Sequence, residues 1–474
     1  MSPLTDQVLF HEFPANRWAL LQGDNGGYQL VSTRGYPSCD NVPERLSLEV
    51  EGPLFIRQYI ALAQNPRLNS LNLRYAALVD GEKEASPFPL SSQLTSLILP
   101  AFKASQMPDI PSLSELEFLS VDLKRWTDKE QENFFRQIDI LALRISRFAS
   151  SALNSMHPST RLKSLSLVNS NATDCELFKI LLGLSSLEQL ELQECPKIAF
   201  QKPDKAPLTL LPRLAKLSFR FQPDLTYEAA KTVVQIAPNL TEMDLSCFDS
   251  ISPDAVLHLQ SLPLTKIRFF NCTSIPRKFY ESIAKITSLE RFVVRSHLVL
   301  DRFDLSPLQQ LPRLERASFK VETESDLYKI AACATLRILL LETGNIDLSR
   351  GLIQIFPFLI RLEFLDLSYF PLTSKAYGQI PNSVARNLKN IKVLVLSAGH
   401  ISDPDFAVTQ QNFAALAQAM PEKSSLRFIF PFPFGQEEKL RTSLPASQAK
   451  HRNVTILFWR ETSRARKLEE QWFI

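Results

Sequence analysis

Glycine is scarce in this chain, with 12 residues in 474, and the shortage removes the motifs in which glycine brings a backbone close to a phosphate or turns it sharply at a nucleophile. There is no G-x-x-x-x-G-K-[ST], no G-x-G-x-x-G and no G-x-S-x-G; Gly26 and Gly27 read as a turn. Histidine is equally thin. The six residues at 11, 157, 258, 297, 400 and 451 stand one per segment, without HExxH, HxxxH or a Cys/His cluster at metal spacing. The expectation is therefore no metal, no cofactor and no enzyme. The six cysteines (39, 175, 195, 247, 272 and 333) form no CxxC pair, so free thiols in a reducing compartment are expected. The opening MSPLTDQVLFHEFPANRWALL lacks a basic leader followed by an uninterrupted apolar segment, and no apolar run approaches the roughly 18 residues that span a bilayer. The reading is a cytoplasmic protein with no membrane partner, the nucleus being left open. Lys plus Arg number 53 and Asp plus Glu 50, a net charge of +3, so no global field demands nucleic acid as a partner.

What the chain has in quantity is apolar residues, 45% of the total, with 32 phenylalanines. Disorder is excluded. Their arrangement is periodic. A block L-x-x-L-x-L recurs as Leu68, Leu71, Leu73; Leu94, Leu97, Leu99; Leu162, Leu165, Leu167; Leu187, Leu190, Leu192; and, with substitutions, through Leu214, Leu240, Leu264, Leu289, Leu314, Leu336 and Leu362 to Ile391. Leu116 and Ile140 start further copies, and the mean interval is about 25 residues. The fourth and sixth block positions have the period of two that puts them on one face of a short strand. Between blocks, stretches such as DCELFKILLGL at Asp174–Leu184 and YEAAKTVVQIA at Tyr227–Ala237 carry apolar residues at helical spacing, with Asp174 and Thr226 as N-caps. Each repeat therefore reads as strand then helix, and since no unit can bury its apolar side alone, neighbours must stack.

The segment LKSLSLVNSNATDCELFKILLGLSSLEQLELQEC, Leu162–Cys195, resembles the cysteine-containing, ribonuclease-inhibitor-like subclass of leucine-rich repeats seen in F-box proteins, and the resemblance covers roughly residues 46–430. It implies an α/β leucine-rich repeat solenoid, a horseshoe with a parallel concave sheet and convex helices. The ninth repeat position in that family is often Asn or Cys, bonding backbone groups between strands. Cys195 and Cys272 match it, whereas Ser170, Gln222, His297 and Glu322 depart from it. Cys175, Cys195, Cys247 and Cys272 fall at positions expected to be buried, where a thiol acts as a small apolar filler. Residues 1–45 read as an N-terminal cap, 46–425 as an array of about 15 repeats, and 426–474 as a C-terminal cap and tail. An F-box at the N-terminus would need helical sequence there; Phe13, Pro14, Arg17 and Trp18 match one loosely.

The third, fifth and seventh block positions face away from the core, and there the chain changes character. Ser164, Ser166, Gln189, Glu191 and Gln193 make a mixed polar surface. Further on, eight cations accumulate: Lys216 and Arg220, Lys266 and Arg268, Arg291 and Arg295, Arg316 and Lys320. Only Glu242 and Asp244 cross them, and ordinary cross-strand pairing is the competing account of the whole set. Beyond the cations the same positions become apolar at Ile338, Leu340, Phe364, Val393 and Val395, which predicts cover by the C-terminal tail or by a partner. The expected function is a non-enzymatic scaffold binding a protein with an acidic surface on its concave face; nucleic acid is a minority expectation. The resemblance leaves open a substrate receptor holding a ubiquitin ligase adaptor, or a bacterial effector.

Overall fold

The computed structural model describes residues 9–13, 16–22, 28–32, 46–66, 68–79, 88–156, 161–201, 210–221, 224–248, 250–270, 272, 278–295, 304–343, 346–370, 374–397, 425–430 and 454–458. The chain divides into two units, Met1–Pro223 with Lys231–Leu240, and Asp224–Ala230 with Thr241–Ile474. Each is an α/β leucine-rich repeat solenoid.

The first unit holds strands β1 (Leu9–Phe13), β2 (Asn16–Gln22), β3 (Tyr28–Ser32), β4 (Leu46–Phe55), β5 (Leu68–Val79), β6 (Ser96–Ala101), β7 (Phe118–Asp122), β8 (Ala142–Ser146), β9 (Ser164–Val168), β10 (Gln189–Gln193) and β11 (Lys216–Arg220). β1, β2 and β3 pair antiparallel; from β3 onward every neighbour is parallel and in sequence order through to β11. The second unit carries the short parallel pair β12 (Asp224–Leu225) and β14 (Ser250–Ile251), and a parallel run of β13 (Glu242–Ser246), β15 (Lys266–Phe270), β16 (Arg291–Arg295), β17 (Arg316–Val321), β18 (Ile338–Thr343), β19 (Phe364–Tyr369), β20 (Val393–Ser397), β21 (Ser425–Phe430) and β22 (Val454–Phe458). β21 and β22 thus continue the ladder into the segment read as a C-terminal cap. Residues 398–424, 431–453 and 459–474, and with them the tail, lie outside the described residues.

The block residues do what their period requires. Leu165 pairs in register with Leu190, and Leu190 with Leu217; their side chains are buried, as are Met243, Ile267, Phe292, Ala317, Leu339 and Leu365 at the same block position. A shared acceptor fixes where each strand starts: the carbonyl of the second block residue takes two N–H bonds from the next repeat. Glu188 and Gln189 donate to Lys163 at 2.7 and 2.9 Å, and Glu290 and Arg291 donate to Thr265, both at 2.9 Å. Strand exits are equally regular. Arg147, Asn169, Glu194, Phe221 and Cys247, the eighth residues of successive blocks, all have φ between 51° and 60°. Turning the chain there costs an L-residue roughly 1–2 kcal/mol. The turn lets the N–H of Arg147 reach the Val168 carbonyl at 3.0 Å and that of Asn169 reach Gln193 at 2.8 Å.

Helices back the strands as expected at Asp174–Leu181 and Tyr227–Ile236. Other repeats use shorter segments: a 3₁₀ turn at Ala104–Gln106 followed by the one-turn helix Ile110–Ser114, and a 3₁₀ helix at Ser306–Gln310. Thr226 caps its helix by accepting from Ala229 N–H at 3.2 Å. The other expected cap is corrected. Helix Asp174–Leu181 starts after Thr173, whose N–H donates to Glu176 Oε2 at 2.8 Å. Asp174 instead accepts from the N–H groups of Phe200 and Gln201, 26 and 27 residues on, at 2.8 and 3.1 Å. The second bond set ties one repeat to the next.

Phenylalanine fills the space between strand and return segment. Phe102, Trp126, Phe134, Phe135 and Phe148 form an edge-to-face chain with centroids 5.6–6.2 Å apart in the first unit. Gln131 is buried beside it, donating to the Trp126 carbonyl at 3.0 Å and accepting from Ala149 N–H at 2.8 Å. Tyr59 is wholly buried edge-on to Phe88 at 5.4 Å, and burial pushes its phenol above the ordinary value. Its hydroxyl meets no hydrogen-bond partner among the described residues.

Two stability measurements follow. Tyr59→Phe removes a desolvated hydroxyl without breaking a bond, so urea unfolding should show unchanged or higher stability, by about 1 kcal/mol; a loss of that size would reveal an essential hydrogen bond. At the half-exposed Phe221, φ 56°, glycine should be tolerated and valine should cost roughly 1–2 kcal/mol more than glycine. Equal stability of the two variants would show that the strand exit carries no conformational strain.

Candidate functional site

The parallel register turns each outward block position into a row running across the strands. In the second unit the third position reads Glu242, Lys266, Arg291, Arg316, Ile338, Phe364, Val393, each in register with the next. The fifth reads Asp244, Arg268, Val293, Ser318, Leu340, Asp366, Val395. Five of the eight expected cations have described side chains on this face: Lys266, Arg268, Arg291, Arg316 and Lys320, all half-buried. Arg295 is in β16, but its side chain lies outside the described residues. Lys216 and Arg220 belong to β11 of the first unit.

The competing account, cross-strand pairing, holds for part of the set. Glu242 sits 3.6 Å from Lys266, and Asp244 sits 3.9 Å from Arg268 while also accepting a hydrogen bond from Ser246. In the first unit Glu191 lies 2.8 Å from Arg144 and 3.6 Å from Arg220, and accepts from Ser166 Oγ at 2.7 Å. Arg144 further donates to Gln193 at 3.0 Å. That face is a network built around one carboxylate. Arg144 was missed in the sequence, although its place as fifth residue of the block from Ile140 was enough to find it.

Arg291 and Arg316 differ from these pairs. They stand directly opposite each other on adjacent strands, so like charges face like. At the strand spacing of about 4.8 Å two unit charges repel by about 3 kcal/mol at an effective dielectric near 20, less where the side chains lean apart. The effect is visible in Arg316. Burial first, then Arg291, pulls its guanidinium below the ordinary value; Arg337 adds to this, and Glu315 and Glu290 oppose it.

The apolar end of the rows is closed. Ile338, Leu340, Phe364, Val393 and Val395 form one cluster with only 2–6% of each residue exposed. Cover over these outward positions was expected, and the cluster is buried. Asp366 and Ser318 in the fifth row are buried with it.

Among the described residues no group of three or more His, Cys, Asp or Glu is placed to hold a metal ion, and no helix is long and apolar enough to cross a membrane. The ninth-position cysteines are buried and bond backbone: Cys195 Sγ donates to the carbonyls of Leu167 at 3.5 Å and Gln193 at 3.4 Å, and Cys272 Sγ to Leu245 at 3.2 Å. Burial pushes both thiols up to about 11, which leaves almost no thiolate at neutral pH. Contrary to expectation, Cys175 is exposed and Cys247 half-buried. Cys175 faces outward because the inner side of its short helix is taken by Leu177, Phe178, Ile180 and Leu181.

No protein-family model and no curated protein sequence matches the chain. Among solved structures it is similar to an internalin (inlF) from Listeria monocytogenes strain 4b F2365, at 18% identity and a TM-score of 0.39 over 74% of this chain and 86% of that one. It is also similar to TLR13 in a complex with ssRNA13, at 16% identity and a TM-score of 0.42 over 88% of this chain and 68% of that one.

The two kinds of ion pair should separate on mutation. Glu191→Ala strands Arg144, Ser166 and Arg220 together and should lower stability by about 1–3 kcal/mol, whereas Glu188→Ala, removing an exposed pair with Lys163, should change it by less than about 0.5 kcal/mol. Equal losses in urea unfolding would show that the Glu191 network is ordinary surface charge.

Proposed function

We propose that the protein is a non-enzymatic interaction scaffold whose second unit binds a protein partner with an acidic surface on the outward face of its strands. The observation that carries this reading is the in-register run Lys266, Arg291, Arg316, flanked by Arg268 and Lys320. In the first unit the outward cations Arg144 and Arg220 converge on the carboxylate of Glu191 instead of adjoining one another. Here cations adjoin cations along the row, and an acidic surface laid across them would be attracted to the whole run. The absence of glycine-rich and metal-binding motifs from the sequence agrees with binding alone. An intracellular, reducing setting belongs to the same reading, since the five described cysteines are free thiols.

A ubiquitin-ligase receptor carrying an F-box finds no support in residues 9–32, where β1, β2 and β3 stand in place of helices.

Charge reversal at Arg291 and Arg316, with circular dichroism matching the parent, should abolish capture of the partners that the parent retains from lysate. Identical captured sets would overturn the reading.

A further inference from the structure

The outward apolar cluster of the second unit raises the question of what lies over it. Ile338, Leu340, Phe364, Val393 and Val395 shield one another's flanks, and the cluster holds no residue of a return segment. The first unit supplies a comparison. Ile98 and Phe118 occupy the same fifth and third block positions there and stay half-buried, so the outward position by itself leaves an apolar side chain partly open. In the second unit Leu340 and Phe364 keep only 2% and 4% of their surface, and Val293, Ser318 and Asp366 in the fifth row are buried as well. These burials arise within one chain, so the cover is a part of that chain. Ser318, Phe364 and Asp366 have further interactions within it, as do Arg291, Arg316 and Lys320 on β16 and β17.

We propose that residues 459–474, which follow β22, lie over the outward face of β17, β18, β19 and β20, and that an acidic partner must displace them to reach the cations. The displacement rests on the proposed function; the cover does not. Reach, composition and the order of charges select this segment. It leaves the ladder at Phe458, three strands from β19 and five from β17. At about 4.8 Å per strand these are roughly 14 and 24 Å, and a segment of this length spans about 50 Å when extended. Its sequence, WRETSRARKLEEQWFI, carries Trp472, Phe473 and Ile474, which match the apolar cluster. Glu469 and Glu470 stand just before them, as Arg316 stands just before Ile338 in the third row. Arg464, Arg466 and Lys467 supply donors suited to Asp366, a buried carboxylate between Leu340 and Val395 that is costly without them. Among the described residues β22 is the last strand of the ladder, so departure of the segment disturbs no register.

The test uses the full chain and the tryptophan that the segment carries. Subtracting the emission of W472F from that of the parent isolates Trp472, which should be blue-shifted and several-fold less quenched by acrylamide than in a synthetic peptide of residues 459–474. Quenching equal to the peptide's overturns the cover; this is the result expected if residues 398–424 lie over the face instead. The labelled peptide, added in trans, should bind W472S/F473S/I474S about tenfold or more tightly than it binds the parent, whose own segment competes. A further R291E/R316E change in that variant should weaken the peptide several-fold. Equal binding to parent and variant, or equal binding of a scrambled peptide, overturns the proposal, and circular dichroism should show all variants folded. A labelled poly-glutamate chain, standing for an acidic surface, should bind W472S/F473S/I474S several-fold more tightly than the parent. Equal poly-glutamate binding to the two, with Trp472 shielded, overturns the displacement. Poly-glutamate binding to neither, with Trp472 shielded and the peptide bound, rejects the acidic-partner reading and keeps the cover.

Discussion

In-register parallel pairing of short strands is the constraint on which the rest depends. A five-residue strand has no stability alone, and strands such as β9, β10, β15 and β16 are held on both sides by their neighbours, with the carbonyls of Lys163 and Thr265 each receiving two N–H bonds from the next repeat. That acceptor leaves no freedom to slip. A shift of one residue would turn Leu190 and Leu192 outward and drive Glu191 into the core, where an unpaired carboxylate is not tolerated. The period of the apolar blocks and the geometry of the ladder are thus the same fact, seen once in sequence and once in space.

A consequence is that outward side chains line up in rows whose composition is set column by column. Outward charges of opposite sign satisfy one another across rows and strands, as Arg144 and Arg220 do around the one carboxylate of Glu191 in the first unit. The same logic accounts for Lys266 with Glu242 and Arg268 with Asp244 in the second. It fails at the next strand, where a cation faces a cation. Since the core at the fourth and sixth positions is indifferent to what the third position carries, like charges there reduce stability modestly without altering the fold.

The fold was legible because it rests on local periodicity. The third and fifth residues of the blocks from Leu240 to Ile391 stand in register as two rows, and Cys195 and Cys272 bond neighbouring backbone as their position implied. What could not be read was anything decided by chain far away. Asp174 looked like a helix cap because the residues after it are helical, but its acceptors are claimed by Phe200 and Gln201. Cys175 looked buried by analogy with its neighbours, yet the helix turns it outward. At Ile338, Leu340 and Phe364 the apolar outward positions predicted cover and are buried, but strand periodicity specifies only which side a residue faces, not what covers that side.

That closed cluster bears on the cations beside it. Electrostatic attraction grows as water is excluded, and a guanidinium set against apolar side chains loses hydration on that flank while keeping its donors. Arg316, in register with Ile338 on one side and Arg291 on the other, is pulled down by burial more than by any single charge. The boundary between the charged and apolar stretches of the third row lies at β17, because the column of third-position residues changes from arginine to isoleucine between β17 and β18, and the ladder carries both stretches in one unbroken register.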